Sequence, residues 1–510
     1  MSLETLSYNH KETGGFKKYF DFNIGALERN LIAKDANFWL AAGQKKALAL
    51  FKAAAVRVPA YKDFLKKHKI HADKINSAGD FRQVPPTDKT NYISAYPLAA
   101  RAWDGKLTGS DVVASSSGTS GEANYWPRGG AQELEAAVIH ELIYKYSFGI
   151  DRRKTLIIIS FPMGVYVSGL ATVLPSWMVA QKHNMTVAAA GNNKPEVLKL
   201  VKNLSPGYGQ TILVGHPFFI KDVLESGPAA GINWKKLQLN LMFCSEGFSE
   251  SWRDYVCSLA GIKNKFLQTA STYGCSEMLL IAYETPISIL LKQLAEKNPV
   301  VAQKLFSIRH APSLFQYHPL LRHIEPLNKE LLFTSNSGLP LVRFNLHDQG
   351  AILPLSLARE VLDEHQPTWK TQTGGRALWQ LPLAALWGRS DQTVVFYAAN
   401  IYPQHIHAAL HQSQFLPKLT GKFTLRKDYY KNMDEFLEIN LELRPGIQPA
   451  VVLAKAIREQ VITTLRRINI EYLFISEHLD KDVRPKIKLW PYQHSRYFKA
   501  GLKPKYIIPN

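Results

Sequence analysis

Between Ser115 and Gly129 the chain reads SSSGTSGEANYWPRG. Glycines at 118 and 121 let a backbone turn tightly and aim its N–H groups inward, while the hydroxyls of Ser116, Ser117, Thr119 and Ser120 add donors; such a nest suits phosphate. The stretch is not a Walker loop of the G-x-x-x-x-G-K-[ST] kind, nor the G-x-S-x-G elbow of hydrolases. Taken alone it also reads as an ordinary Ser/Gly turn. Its oddity is Glu122, which stands where a phosphate loop usually carries lysine. A carboxylate about 4 Å from a phosphate charge costs roughly 4 kcal/mol at an effective dielectric of about 20. One charge-assisted hydrogen bond returns only about 1.5–3 kcal/mol. Glu122 is therefore expected to turn outward, or to meet Mg²⁺ or a basic neighbour such as Arg128.

Further segments carry complementary chemistry. STYGCSE places Tyr273 and Glu277 just after a strand-like run: an aromatic face for a base and a carboxylate hard enough for Mg²⁺. ELLFTSNSGLPLVRFNLHDQG (Glu330 to Gly350) ends a strand pair in Asp348, an acceptor suited to a ribose diol. GRSDQ (Gly388 to Gln392) supplies Arg389 at a hinge-like break, and RPKIKLW supplies Lys486 and Lys488. Each has an ordinary alternative: Tyr273 in the core, Glu277 and Asp348 as caps, Arg389 bridging domains, the lysines solvated. The order in which they occur is more specific than any one of them.

The elements that must position these residues follow from hydrophobic patterning. Residues 26 to 70 read helical, with Leu40, Ala47, Leu50 and Ala54 at helical spacing and Pro59 closing the second helix. From about 110 to 350, strand-length runs alternate with helical segments: DVVASS, TLIIIS, TVAAAG, TILVG, LNLMFCSEG, KFLQTAST, ELLFTS and LVRFNL. The alternation predicts an α/β fold whose helix-covered sheet is mostly parallel. Ligands of such sheets bind at the strands' carboxyl ends, where Ser115–Gly121, Ser245–Gly247 and Ser271–Glu277 fall. After GRSDQ the texture changes to a strand TVVFY, a short helix around Pro403–His411, the strands KFTLRKDY and FLEINLEL, a helix from Pro449 to about Arg467, a strand EYLFIS and a basic tail. The chain thus divides into a large domain, 1–387, and a small α+β domain, 388–510.

Composition limits the partners. Of the 510 residues 46% are hydrophobic and 20% charged, which is globular, and the formal charge of +20 biases the surface toward polyanions. No arginine-rich block or aromatic-spaced signature appears, so no specific nucleic-acid partner is expected. Three cysteines, Cys244, Cys257 and Cys275, build neither a disulfide framework nor a C-x-x-C metal knuckle. With no secretory pattern at the start, a cytoplasmic setting is expected. Leu156 to Ala180 lacks charge over a membrane-spanning length, but Pro162, Gly164, Ser168, Gly169, Pro175 and Ser176 interrupt it. It reads as a strand, a turn and a buried helix, and no membrane partner is expected. The helix-like insert Pro286 to Ser313 has no functional reading.

The ordered set resembles the adenylate-forming superfamily of acyl-CoA synthetases, peptide-synthetase adenylation domains and luciferases, most closely its phenylacetate-CoA ligase branch. The resemblance runs through VPAYKDFL (Val58 to Leu65), the P-x-T-x-K segment VPPTDKTNYISAYP (Val84 to Pro97), SSSGTSG, SEGFSESWR (Ser245 to Arg253), TYGCSE, LPLVRFNLHD and GRSDQTVVFYAANIYPQHI. It implies a two-step ligase that forms an acyl- or aryl-adenylate from Mg·ATP and then a thioester, usually with coenzyme A. By the resemblance, Ser116, Ser117, Gly118, Thr119, Ser120 and Gly121 hold the β- and γ-phosphates. Ser245, Glu246 and Gly247 form the adenine-side turn, Tyr273 stacks on adenine beside Gly274 and Ser276, and Glu277 ligates Mg²⁺. Asp348 and Arg389 grip the ribose, Asp391 is the hinge of the small domain, and Lys486 reaches the α-phosphate, with Lys488 as the substitute.

Three departures qualify it. Glu122 and Ala123 replace the relatives' Lys-Pro, and Ala398 and Ala399 stand at or near a glycine in the loop that lines the relatives' thiol tunnel. No cysteine follows Cys275, so no zinc is expected. FPMGVYVSG (Phe161 to Gly169), GHPFF (Gly215 to Phe219) and Phe243 read as apolar walls for an aromatic or acyl acid, or as ordinary core. An amine or a carrier-protein thiol as acceptor, a homodimer, and a non-catalytic nucleotide-binding descendant are the alternatives left open.

Overall fold

TLIII, Thr155–Ile159, is buried at every position, as a strand covered on both faces must be. It sits inside a sheet that organises the larger part of the chain. The computed structural model describes residues 19–107, 112–115, 124–308, 311–336, 338–389, 393–410, 412–494 and 496–498. The proposed phosphate-loop residues Ser116, Ser117, Gly118, Thr119, Ser120 and Gly121, with Glu122, and the proposed hinge Asp391 lie outside them. Of the described residues, those from 19 to 115 and from 125 to 388 form one compact unit, and Asn124 with those from 389 onward a second.

The strands of the first unit are β1 (Val112–Ser115), β2 (Tyr125–Arg128), β3 (Thr155–Ile159), β4 (Met185–Ala189), β5 (Gln210–Gly215), β6 (Leu239–Cys244), β7 (Thr269–Cys275), β8 (Leu279–Tyr283), β9 (Ser313–Gln316), β10 (His323–Leu327), β11 (Glu330–Asn336), β12 (Pro340–Leu353) and β13 (Leu383–Arg389). β1 and β2 pair as a hairpin. Among the described residues the rest make one eleven-stranded sheet in the order β10-β11-β12-β13-β9-β8-β7-β6-β5-β3-β4. The α/β reading holds, and the sheet is mixed. β4, β3, β5, β6 and β7 are parallel neighbours, whereas β7–β8, β8–β9, β9–β13 and β10–β11–β12 are antiparallel.

Local chemistry accounts for the covering helices. Asp35 caps Ala36–Arg57 by accepting from the Phe38 N–H at 2.8 Å. Val58 ends that helix, and Pro59 opens Pro59–Lys67 at its first position, where the missing N–H costs nothing. Pro59 thus starts a helix as well as following one. Val167–Ala180 is the helix read from the uncharged stretch, with Pro175 inside it; no helix among the described residues is long and apolar enough to cross a membrane. KFLQ is a short helix, Lys265–Gln268, and β7 begins only at Thr269. The insert forms two helices, Pro286–Lys297 and Pro299–Phe306.

The second unit holds β14 (Val394–Phe396), β15 (Ala399–Ile401), β16 (Leu419–Tyr429), β17 (Glu435–Leu443) and β18 (Lys486–Trp490). β16 pairs antiparallel with β17, and β18 joins β17 in parallel. A parallel neighbour needs a crossover, supplied by Val451–Ile468, whose Leu453, Ile457, Val461 and Leu465 are buried, and by Ile470–His478. The second of these corrects the strand read from EYLFIS. Asn469 caps it by accepting from the Tyr472 N–H at 2.9 Å, Glu471 sits in its first turn, and the cap outweighs the β-prone composition.

Candidate functional site

The carboxyl ends of β3, β5, β6 and β7 lie side by side, and the turns Ser245–Gly247 and Ser276–Met278 leave the sheet there, whereas Ser115 ends a strand of the separate β1–β2 hairpin. Past β6, Ser245 takes a left-handed conformation at φ 82°, a strained geometry for a serine that clusters at functional turns. Ser245 and Gly247 are exposed and Glu246 is buried. A Cβ on Gly247 would stand 2.8 Å from the Ser313 hydroxyl, so the turn approaches β9 closely.

This turn is anchored by an ionic network. The buried Arg253 holds both Glu250 oxygens through Nε at 3.0 Å, the Thr269 hydroxyl at 2.9 Å and Glu284 Oε1 at 2.6 Å. Glu284 Oε2 in turn accepts from the Ser271 N–H at 2.7 Å. Lys265 and Lys292 also meet Glu250, both at 3.3 Å. Arg253 thereby ties the helix after the turn to β7. Phe243, read as a pocket wall or as ordinary core, is core: it is 0% exposed and packs edge-on against Phe248 and Trp252.

β7 ends in a tight reversal into β8 through Ser276, Glu277 and Met278. Gly274 is required there, because a Cβ would fall 2.6 Å from the Leu279 carbonyl oxygen. Tyr273, one residue earlier, turns its ring nearly parallel to Phe315, with centroids 5.9 Å apart and 26° between planes. Its hydroxyl donates to Asp348 Oδ2 from β12. The structure thus joins the residues proposed for adenine and ribose through a direct hydrogen bond. Glu277 faces the same region. Burial and the Glu277 charge push the Cys275 thiol well up, and Asp348 adds to the effect.

Glu277 is 3% exposed. Burial raises its carboxyl pKa, but the charge and hydrogen bond of Lys89 outweigh that and hold it below the usual range. Lys89 Nζ lies 3.0 Å from Glu277 Oε1. The P-x-T-x-K segment puts it there. Thr87 is stitched to β12, its hydroxyl donating to the Val342 carbonyl at 3.0 Å and its carbonyl accepting from the Asn345 N–H at 2.7 Å. Asp88 then caps the turn Lys89–Ile93. Arg343, from LPLVRF, braces the same segment through the carbonyls of Arg82 and Val84 while pairing with Glu325. In the sequence Lys89 is only the lysine of the P-x-T-x-K segment, with nothing beside it to suggest this role.

Of Arg389 the structure describes the backbone, as the last residue of β13. In the second unit, Lys486 and Lys488 are both on β18 and, two apart, point to the same side of the sheet. Lys486 Nζ sits over the rings of Phe436 and Tyr430, 3.4 and 4.0 Å from their centroids, a cation–π arrangement. Lys488 pairs with the buried Glu438 at 2.6 Å. Among the described residues no cluster of His, Cys, Asp or Glu could hold a metal by itself.

No family model and no curated protein sequence matches the chain. Solved structures do match its fold. A 2-hydroxyisobutyryl-CoA ligase in complex with 2-HIB-AMP and CoA, in the thioesterification state, is similar over 98% of this chain and 94% of its own, with a TM-score of 0.62 and 16% identity. The same ligase in the postadenylation state with 2-HIB-AMP is similar over 99% of this chain and 95% of its own, with a TM-score of 0.53 and 14% identity. An open conformation with both ligands covers 92% and 91%, with a TM-score of 0.53 and 15% identity. At these identities the likeness is one of fold alone.

Proposed function

We propose that the chain is an ATP-dependent ligase that activates a carboxylic acid as its adenylate and passes the acyl group to a thiol, that of coenzyme A. The observation that carries this reading is the hydrogen bond between Tyr273 and Asp348 beside the ionised Glu277, on a sheet edge belonging to a fold shared with a CoA ligase along nearly its whole length. The motif order further favours the phenylacetate-CoA ligase-like branch and the domain division at 387/388.

In this reading the acid's carboxylate oxygen attacks the α-phosphorus of ATP, a P–O bond forms in line, and the bond to pyrophosphate breaks. The thiol sulfur then attacks the acyl carbon and AMP leaves. Little covalent work falls to the protein, and catalysis is positioning and charge stabilisation. The Tyr273 ring flanks adenine next to the Ser245–Gly247 turn. Asp348 and Arg389 take the ribose hydroxyls, and the 116–121 loop cradles the β- and γ-phosphates. Asp391 serves as the hinge, and Lys486, or Lys488 in its place, meets the α-phosphate. One buried, ionised carboxylate fits a Mg²⁺ that arrives on ATP and keeps most of its oxygen ligands from phosphate and water. When bound, that ion offsets charge on the phosphate oxygens. On this chain's side, Glu277 would hold it, and Lys89 is the counter-charge already facing that carboxylate.

ATP–pyrophosphate exchange over a panel of carboxylic acids tests the first half-reaction, and mass spectrometry of products with and without coenzyme A tests the second. Exchange with none of the acids overturns the reading. A second acceptor, an amine or a carrier-protein thiol, is favoured by one feature. Ala398, at or near the position of the relatives' tunnel glycine, is held at φ 64°. Adenylate formed without CoA thioester in the same assay selects it.

A further inference from the structure

His216 follows β5 at the carboxyl edge and is 7% exposed. Phe161, leaving β3, meets its ring edge-on at 5.0 Å and 77°, and Phe218 stacks on it at 5.6 Å and 5°. The ring donates to the backbone of Cys244 at the end of β6, and burial pulls its pKa down to about 4, so it is neutral at working pH. A neutral imidazole has one donor and one acceptor nitrogen. The donor is used on Cys244, and Nδ1, buried, has no partner. A second orphan acceptor, Asn192 Oδ1, lies in the loop after β4 at the same edge of the sheet. A buried acceptor left unmet costs about 1–3 kcal/mol, and native structures retain few of them.

Resting on the ligase reading above, we infer that His216 Nδ1 is the specificity element of the acid pocket. It accepts a hydrogen bond from an O–H or N–H group carried by the acid away from its carboxylate. Phe161 and Phe218 hold the imidazole between them, and the carboxylate end of the acid faces the nucleotide side near β7. The substrate class is therefore an aromatic or acyl acid with a hydroxyl or amino substituent, in preference to the plain hydrocarbon acid.

The test uses matched acids differing by one hydroxyl: 4-hydroxybenzoate and benzoate, 4-hydroxyphenylacetate and phenylacetate, 6-hydroxyhexanoate and hexanoate. Binding to the full chain labelled with ¹⁵N-histidine is followed at the His216 Nδ1 resonance, assigned by its loss in His216→Phe. In at least one pair the hydroxylated acid is expected to shift Nδ1 and to bind about tenfold tighter than its partner, the worth of one hydrogen bond. His216→Phe keeps the ring and loses the acceptor, so the two acids become equal. His216→Asn keeps an acceptor near Nδ1 and retains the preference, which a packing role would not allow. Equal binding within every pair in the wild type, or a preference that survives His216→Phe, overturns the inference. Binding needs no turnover, so the two readings fail separately. Discrimination without pyrophosphate exchange sinks the ligase reading alone, and exchange without discrimination sinks the role of His216 alone.

Discussion

Lys89 reaches across from the segment pinned to β12 and stands 3.0 Å from Glu277 on the β7–β8 turn. The carboxylate is nearly enclosed while the ammonium stem is about half exposed, with side-chain exposures of 4% and 49%. Such a pair orients the acid more than it stabilises the fold. In a double-mutant cycle with Lys89→Met and Glu277→Gln, urea unfolding is expected to give a coupling of about 1 kcal/mol. Additive effects would show that the two do not act together. Glu277→Gln should also raise the Mg²⁺ concentration needed for half-maximal exchange several-fold; an unchanged metal dependence removes its proposed role.

Tyr273→Phe deletes the donor to Asp348 and keeps the ring. Loss of a hydrogen bond to a charged acceptor is worth about 1.5–3 kcal/mol, so the KM for ATP should rise by about tenfold or more, with little change in the KM for the acid. Equal effects on both substrates would mean that the pair supports the fold and not nucleotide binding.

Ala398 sits in the left-handed region at φ 64°, where an L-residue other than glycine pays about 1–2 kcal/mol. Ala398→Gly is expected to be neutral or to stabilise by up to about 1 kcal/mol once glycine's greater unfolded-state entropy is counted. Ala398→Val should destabilise clearly. Thermal unfolding of the three proteins measures this, and a large loss in Ala398→Gly would contradict it.

Three buried histidines shape the acid response. Burial pulls His140 and His216 down to about 4 and His318 to about 3, from an ordinary 6.5. The unfolded chain therefore binds protons that the fold does not, and each histidine costs stability, up to about 3 kcal/mol, as pH falls from 6.5 through 4. The urea midpoint should drop steadily over that window. His140→Gln should flatten the slope between pH 6.5 and 4, and a slope parallel to wild type would show that His140 is not held neutral.

Much of this arrangement is legible in the chain itself. TLIII, TILVG and LNLMFC are apolar at strand length, and they form the middle of the parallel block at one end of the sheet. The antiparallel flank is less legible, because β8 and β9 are short and the insert Pro286–Ser313 separates them. Tyr273 and Asp348, 75 positions apart, meet only because β7 and β12 belong to one sheet; motif order named both, and no spacing rule could show the bond. Lys89 needed the same long-range pairing through Thr87. For Phe243 composition fits a pocket wall as well as a core, and only its packing against Phe248 and Trp252 decides for the core. EYLFIS misled because a cap two residues upstream, Asn469, decided the conformation.

Adenylation of a carboxylic acid is the step on which the proposed ligase activity stands, and ATP–pyrophosphate exchange measures it directly. Wild type should show exchange that depends on both acid and Mg²⁺. Lys486→Ala should lose about 10²–10³-fold of it, as removal of one preorganised charge donor does, while a preformed adenylate is still consumed. Lys488→Ala, which frees Glu438 from its ion pair, should lose less. Exchange that no acid elicits would rule out the ligase activity, and exchange unaffected by Lys486→Ala shifts the role to Lys488 or removes it.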